Sequence, residues 1–296
     1  MEVMTLFTDK AQSLAIMLHT MNVMKAVVEH LDPGQIQFLV AGAPIYAFLK
    51  KIQFTMLDTH GEEKLFITMG GLHIELAAFR MAGKWLEGSG FTSVLIDAGV
   101  TTQRKADYVL KVSHIKISRY SHEVTAAAIR LLQQLDYQEH KLNDTDLLLR
   151  VVSPMLQYRD IVLKIELCIL TILRSIREAN FQLYMNTLIP LAPWFIALDH
   201  TNYARWLSVH IRDLIHIECE RLDIAQVFKA GRIVAWKTMR PFSATALDHV
   251  LSNTDRTNLT DLTPYHHEEV GTWILRSCFT LLIQELQDTS RSWSRQ

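Results

Sequence analysis

Apolar residues recur every three or four positions over most of this chain, and they run together or alternate in only three short stretches. Gln35 to Ala41 (QIQFLVA) is bounded by Pro33-Gly34 and by Gly42 and Pro44. Lys64 to Met69 (KLFITM) runs into Gly70-Gly71, and Arg232 to Trp236 (RIVAW) follows Gly231. Each is rich in β-branched or aromatic residues and fenced by turn formers, so each predicts a strand.

Helical spacing predicts most of the rest. Leu72, Leu76, Phe79, Gly83 and Leu86 fall on one helix face, while Ile74, Ala78, Met81 and Trp85 fall on the other. A helix apolar on both sides belongs in a core, and Gly88 and Gly90 supply its stop. Glu123 to Gln138 predicts another helix. Ser153-Pro154 predicts a start, with Ser as cap and Pro where a missing N–H costs nothing; that helix extends to about Leu188. Thr201 opens one to about Ile217, and Thr263-Pro264 opens the last, to about Leu286. Ser252 to Asp261 reads as a loop, and Asp288 to Gln296 as a frayed end.

Two strands early, one late and helices between describe a helix-dominated α/β protein. The expected arrangement is a single domain over 1–296, with 35–100 and 231–287 as a small mixed-sheet core and 100–230 as a large all-helical insertion. The alternative is an all-α chain in which the short strands fail to form.

Composition narrows the function classes. Of 296 residues, 49% are hydrophobic and 21% charged, a balance that excludes a disordered chain. The formal net charge of −1 gives no global field toward nucleic acid or anionic lipid, so such binding needs a local patch. Cys168, Cys219 and Cys278 are widely spaced with no CxxC pair, which predicts reduced core thiols and neither a disulfide framework nor a cysteine zinc site. Ile161 to Ile176 is apolar but carries Lys164, Glu166 and Arg174, so it predicts a buried helix and no membrane span. The start of the chain lacks the basic-then-apolar order of a secretion signal. Nucleus or cytoplasm is the expected compartment, and Asn143-Asp144-Thr145 and Asn258-Leu259-Thr260 carry no weight as glycosylation sites.

Four constellations invite a chemical reading. Gly70-Gly71-Leu72-His73 joins a strand to a helix, and such a corner offers backbone N–H groups to an anion. No GxGxxG or Gly-Lys-Ser/Thr accompanies it. His73 and Glu75 point about 200° apart on a helix and cannot chelate one ion as a pair. Arg104, Lys105, Lys111, Lys116, Arg119 and Arg130 outnumber Asp107 and Glu123, with Tyr108, Tyr120, His114 and His122 among them. Cations interleaved with aromatics suit a phosphate backbone; a solvated helix face is the plainer alternative. His266-His267-Glu268-Glu269 and the pair His210 and His216 lack ligand spacing, so no metal site is assigned. Asp199-His200-Thr201-Asn202 reads as a helix start, with Arg205, Ser208 and Arg212 along one polar face. No GxSxG elbow occurs.

Several runs resemble a known family. MGGLHIELAAFRMAGKWLEGSG (69–90), YSHEVTAAAIRLL (120–132), RSIREANFQLYMNTLIPLAPWF (174–195), LDHTNYARWLSVHIRDL (198–214) and KTMRPFSATALDHVLSNT (237–254) are similar, in order and rough spacing, to transposon-associated proteins of animal genomes. Those in turn resemble RNase H-like (DDE-type) transposases. The resemblance implies an RNase H-like core in which carboxylates hold two divalent ions for phosphodiester attack. It also implies a helical insertion before the last carboxylate. The family pattern places an Asp-Gln-Pro run after the first strand, and AGAPIYAFLKKIQF (41–54) has Gly42 there. It places Glu four residues after the Asp of the FSAxAxD run, and this chain has Asp248 but then Ser252. The middle corner keeps His73.

The resemblance therefore implies a catalytically degenerate transposase-derived domain. Its remnant corner is His73 and Asp248, its lost positions are Gly42 and Ser252, and it has no cofactor. It retains binding to DNA, through Arg104, Lys105, Lys111, Lys116 and Arg119, or to a protein partner. The rival readings are an active Mg²⁺- or Mn²⁺-dependent phosphoryl-transfer enzyme and a helical protein-interaction scaffold.

Overall fold

The computed structural model describes residues 13–31, 33, 34, 36–140, 154–230, 234–236, 240 and 242–249. The loop expected over Ser252 to Asp261, the last helix, the chain end, the His266 cluster and Cys278 lie outside the described residues. The described chain is a helix-dominated α/β protein and divides into two compact units. One comprises Met1–Ile74, Ile176–Phe181 and Arg205–Gln296; the other comprises Glu75–Ser175 and Gln182–Ala204. The helical unit begins at Glu75, not near residue 100, and residues 205–230 belong to the first unit. Its borders fall inside continuous helices, where hydrophobic periodicity carries no boundary signal.

All four described strands lie in the first unit. Strands β1 (Gln37–Ala41) and β2 (Leu65–Met69) pair in parallel, from Gln37 opposite Leu65 to Ala41 opposite Met69. Helix α1 (Leu14–Leu31) precedes β1, and α2 (Ala43–Thr55) with the short α3 (Leu57–His60) makes the crossover to β2. All five residues of β2 are buried, which accounts for its near-continuous apolar run, interrupted only by Thr68. Strands β3 (Val234–Trp236) and β4 (Ala244–Ala246) form a separate antiparallel pair. Among the described residues the strands thus make two pairs, where the sequence suggested one mixed sheet. Val40 of β1 packs with Leu247, just past β4, and Ala235 of β3 lies against them. That contact brings residue 248 to the end of β1.

Phe38, Phe66, Phe181 and Phe228 hold this unit together. Phe228 meets the other three rings at centroid distances of 6.3, 5.4 and 5.2 Å, within the range where aromatic pairs add to area burial. Phe228 sits on α11 (Leu222–Lys229), which follows α10 (Thr201–Glu220).

Among its described residues the second unit consists of helices and the turns that join them, with no strand. It contains most of α4 (Gly71–Leu86), then α5 (Phe91–Asp97), α6 (Gln103–Lys111), α7 (Ile115–His140), α8 (Pro154–Arg177) and α9 (Phe181–Ala197). Leu72, Ile74, Ala78, Phe79, Met81 and Leu86 of α4 are all buried, as its two apolar faces predict. The Cα of Gly83 lies so close to the Leu110 carbonyl oxygen that a Cβ would collide with it. The helix expected from Pro154 to Leu188 is two helices. Ala179, at φ 54°, reverses the chain between them, and Asn180, a residue favoured at helix starts, precedes α9. Periodicity continues across this break because both helices are apolar, so the pattern hides it. Cys168 is half-buried, whereas Cys219 is exposed and not a core thiol.

Candidate functional site

The sequence marks Gly42, His73 and Asp248, and the fold brings them together. Because β1 and β2 are parallel and in register, both end on the same side. Gly42 follows β1 and opens α2. Gly70 follows β2, and its N–H donates to the Ala41 carbonyl at 3.0 Å, closing the ladder at the corner. Helix α4 then starts at Gly71. The carboxyl ends of parallel strands are where α/β folds bind ligands.

At this corner the anion is supplied by the chain itself. Asp248 is 0% exposed. Its Oδ1 accepts the Leu72 backbone N–H at 3.1 Å; its Oδ2 accepts the His73 N–H at 3.1 Å and the His73 Nδ1–H at 3.0 Å. A carboxylate on the first-turn N–H groups of a helix is stabilised by the positive end of the helix dipole. The Gly70-Gly71 pair makes room for it. A Cβ on Gly70 would overlap Asp248 Oδ2, and one on Gly71 would stand 3.2 Å from Ala246 Cβ.

Gly42 has a matching reason. A Cβ there would lie 2.6 Å from Cδ2 and 2.9 Å from Nε2 of His73. The imidazole occupies the space a side chain at 42 needs. Its φ of −71° is ordinary, so contact and not backbone conformation selects glycine. The ring is 34% exposed. One buried carboxylate and one imidazole, with helix N–H groups converging on the carboxylate, do not fit a pair of hard divalent cations. Such ions want several oxygen ligands and charge balance. Among the described residues no group of three or more His, Cys, Asp or Glu side chains could hold a metal ion. Ser252 lies outside the described residues.

Glu75 leaves the corner. Its carboxylate takes a bidentate pair from Arg119 at 2.6 and 2.7 Å. Arg119 is therefore engaged in packing α7 to α4, while Arg104, Lys105, Lys111 and Lys116 are exposed. Lys111 pairs with Asp107 one helical turn away at 3.5 Å. His122 belongs to the basic stretch in sequence but not in space. It is 0% exposed, its Nδ1–H donates to the buried Glu166 carboxylate at 2.8 Å, and its ring lies 4.8 Å from that of Phe79.

A second polar cluster in the first unit has no sequence signature. Lys50 Nζ meets Asp213 at 2.8 Å, Glu62 at 3.1 Å and Gln53 Oε1 at 2.5 Å, with its side chain 2% exposed. Asp213 also accepts the Tyr46 hydroxyl at 3.0 Å and is paired with Arg212. Burial, then the charge of Asp213, pushes the Tyr46 phenol far up. Burial holds His210, whose ring meets Tyr46 edge-on, down to about 4. A cavity of about 240 Å³ opens beside this cluster, lined by Lys50, Gln53, Glu62, Asp213, Arg221 and their neighbours. His210 and His216 diverge as their spacing requires, one fully buried and the other exposed. Asp199, at φ 55°, and His200 form the turn before α10, which begins at Thr201; Arg205, Ser208 and Arg212 are exposed along it.

Residues 156–263 match a family described as "Domain of unknown function (DUF8702)". That segment includes Asp248 and the Asp213 cluster's helix but spans less than half of the chain. No curated protein and no solved structure matches the chain. No described helix is long and apolar enough to cross a membrane.

Proposed function

We propose that this chain is a transposon-derived RNase H-like domain whose catalytic corner has become structural, and that it works by binding in the nucleus or cytoplasm and not by strand transfer. One observation carries the reading. The residues at the three corner positions converge, yet the carboxylate that remains, Asp248, is spent on capping α4, and the imidazole of His73 fills the volume above Gly42. Restoring Asp at 42 would require that ring to move. The exposed cations Arg104, Lys105, Lys111 and Lys116 are the residues this reading assigns to a DNA backbone, with Arg119 contributing through its helix placement only.

The test has two arms. Purified protein incubated with DNA and Mg²⁺ or Mn²⁺ is expected to leave it intact. Cleavage that His73→Ala or Asp248→Ala abolishes would overturn the degenerate assignment. DNA affinity is expected to fall steeply with salt. Replacing the four exposed cations by Ala should flatten that slope, by up to about four units if each neutralises a phosphate. Salt-independent binding, or none, would leave the helical scaffold reading in its place.

A further inference from the structure

Helix α7 has a buried face and, opposite it, an apolar face that is exposed among the described residues. Ser118, His122, Ala126 and Gln133 form the buried face. The opposite face runs through Tyr120, Val124, Ala127, Ala128, Leu131 and Leu135, which lie within about 100° of arc at about 100° of turn per residue. Tyr120 is 56% exposed, Leu131 57% and Leu135 49%. Ala127 and Ala128 are exposed and Val124 is half-buried.

The spacing of this stripe reads the same in both directions: four, three, one, three, four. A two-fold axis between Ala127 and Ala128 sets Tyr120 level along the helix with Leu135, Val124 with Leu131, and Ala127 with Ala128 of a second, antiparallel α7. Small residues fall at the crossing, where helix backbones come closest, and large ones on either side. The flanking charges agree. Glu123 and Arg130, both exposed, lie on the same edge of the stripe. A perpendicular two-fold axis sets an edge against its own copy, so Glu123 meets Arg130 of the other chain, and the reverse. At about 1.5 Å of rise per residue their axial offset is roughly 3 Å, which two long side chains span.

The geometry points to an antiparallel homodimer of this chain through the outer face of α7. Two-fold self-complementarity is what an isologous interface requires. A patch of exposed leucines on a helix is otherwise a solubility liability.

The full-length chain tests this directly by sedimentation equilibrium. At protein concentrations on the order of 100 μM the wild type is expected as a dimer; a monomer there overturns the proposal. Leu131→Glu with Leu135→Glu should give a monomer with unchanged circular dichroism. A dimer that survives these changes overturns it. Glu123→Arg and Arg130→Glu should each weaken dimerisation about tenfold, taking two exposed ion pairs at up to about 1 kcal/mol apiece. The double charge reversal should restore it. Mixing the two single variants should give a heterodimer tighter than either homodimer. Equal weakening in the mixture would exclude the antiparallel register. All four positions are exposed, so these variants keep the fold.

Discussion

Asp213 and Asp248 are both buried carboxylates of the same compact unit, and the chain neutralises them by different means. Asp213 is held by Lys50 and Arg212, two fixed cations, with the Tyr46 hydroxyl as a third donor. Asp248 is held by two backbone N–H groups at the start of α4 and by one partly exposed imidazole. In the first cluster the buried Lys50 and the Tyr46 hydroxyl of α2 both bind Asp213 of α10, which makes it a fastening between the two helices. The second sits at the carboxyl ends of parallel strands and keeps a ring edge facing solvent. Burial of a carboxylate is therefore no guide to chemistry by itself; the identity and accessibility of its partners are.

The largest effect separating the two should come from Asp213→Ala. It strands Lys50, whose side chain is 2% exposed, with a weaker set of partners. Removing one member of a buried ion pair costs about 3–5 kcal/mol, so the urea midpoint should fall accordingly. The paired replacement Lys50→Met with Asp213→Leu should recover most of that loss, because neither charge then needs solvating. If Asp213→Ala is nearly silent, the cluster is not a fastening and the contrast fails.

Acid gives the next largest effect, again on the Asp213 side. His210 is wholly buried and its imidazole is held down to about 4 from 6.5, chiefly by burial. The charge of Asp213 partly opposes this and that of Lys50 adds to it. In the unfolded chain the ring protonates first as pH falls, so protons favour unfolding. The stability from keeping it neutral is complete above pH 6.5 and is lost progressively down to about pH 4. At about 1.4 kcal/mol per pKa unit this amounts to about 3 kcal/mol. His210→Gln should remove this share of the acid slope. An unchanged slope in that variant would place the proton elsewhere.

How much of this was legible beforehand depends on whether the signal is local. Three of the four described strands were, because β-branched and aromatic runs between glycines and prolines leave few options; β4 (Ala244–Ala246) was not, being three small residues with no such run. The anion-binding character of Gly70-Gly71 at a helix start was legible too. The anion itself was not, because Asp248 lies 175 positions away from His73 and only the family resemblance connected them. Helix α2 escaped notice because Pro44 reads as a turn former, although in the first turn it favours helix. Lys50 stands beside Lys51 and looks like a solvent-facing pair, and nothing near it announces Asp213. His122 looked like part of a basic patch, while its real partner is Glu166 on another helix. Long-range pairs between charged residues leave no periodic trace, so a single sequence cannot report them.

The smallest predicted effect is the one most particular to the corner. If His73 occupies the volume above Gly42, then Gly42→Ala must displace the ring, whose edge would stand 2.6 Å from the new Cβ. The ring is partly exposed and able to swing outward, losing its hydrogen bond to Asp248, so the cost should be about 1 kcal/mol. His73→Ala removes the obstacle. In that background Gly42→Ala should be neutral or slightly stabilising, since φ of −71° suits any residue and alanine restricts the unfolded chain more than glycine does. The double-mutant cycle in urea should thus show a coupling of about 1 kcal/mol. Strict additivity would mean that His73 does not fill the position the resemblance reserves for a carboxylate, and that the corner could accept one.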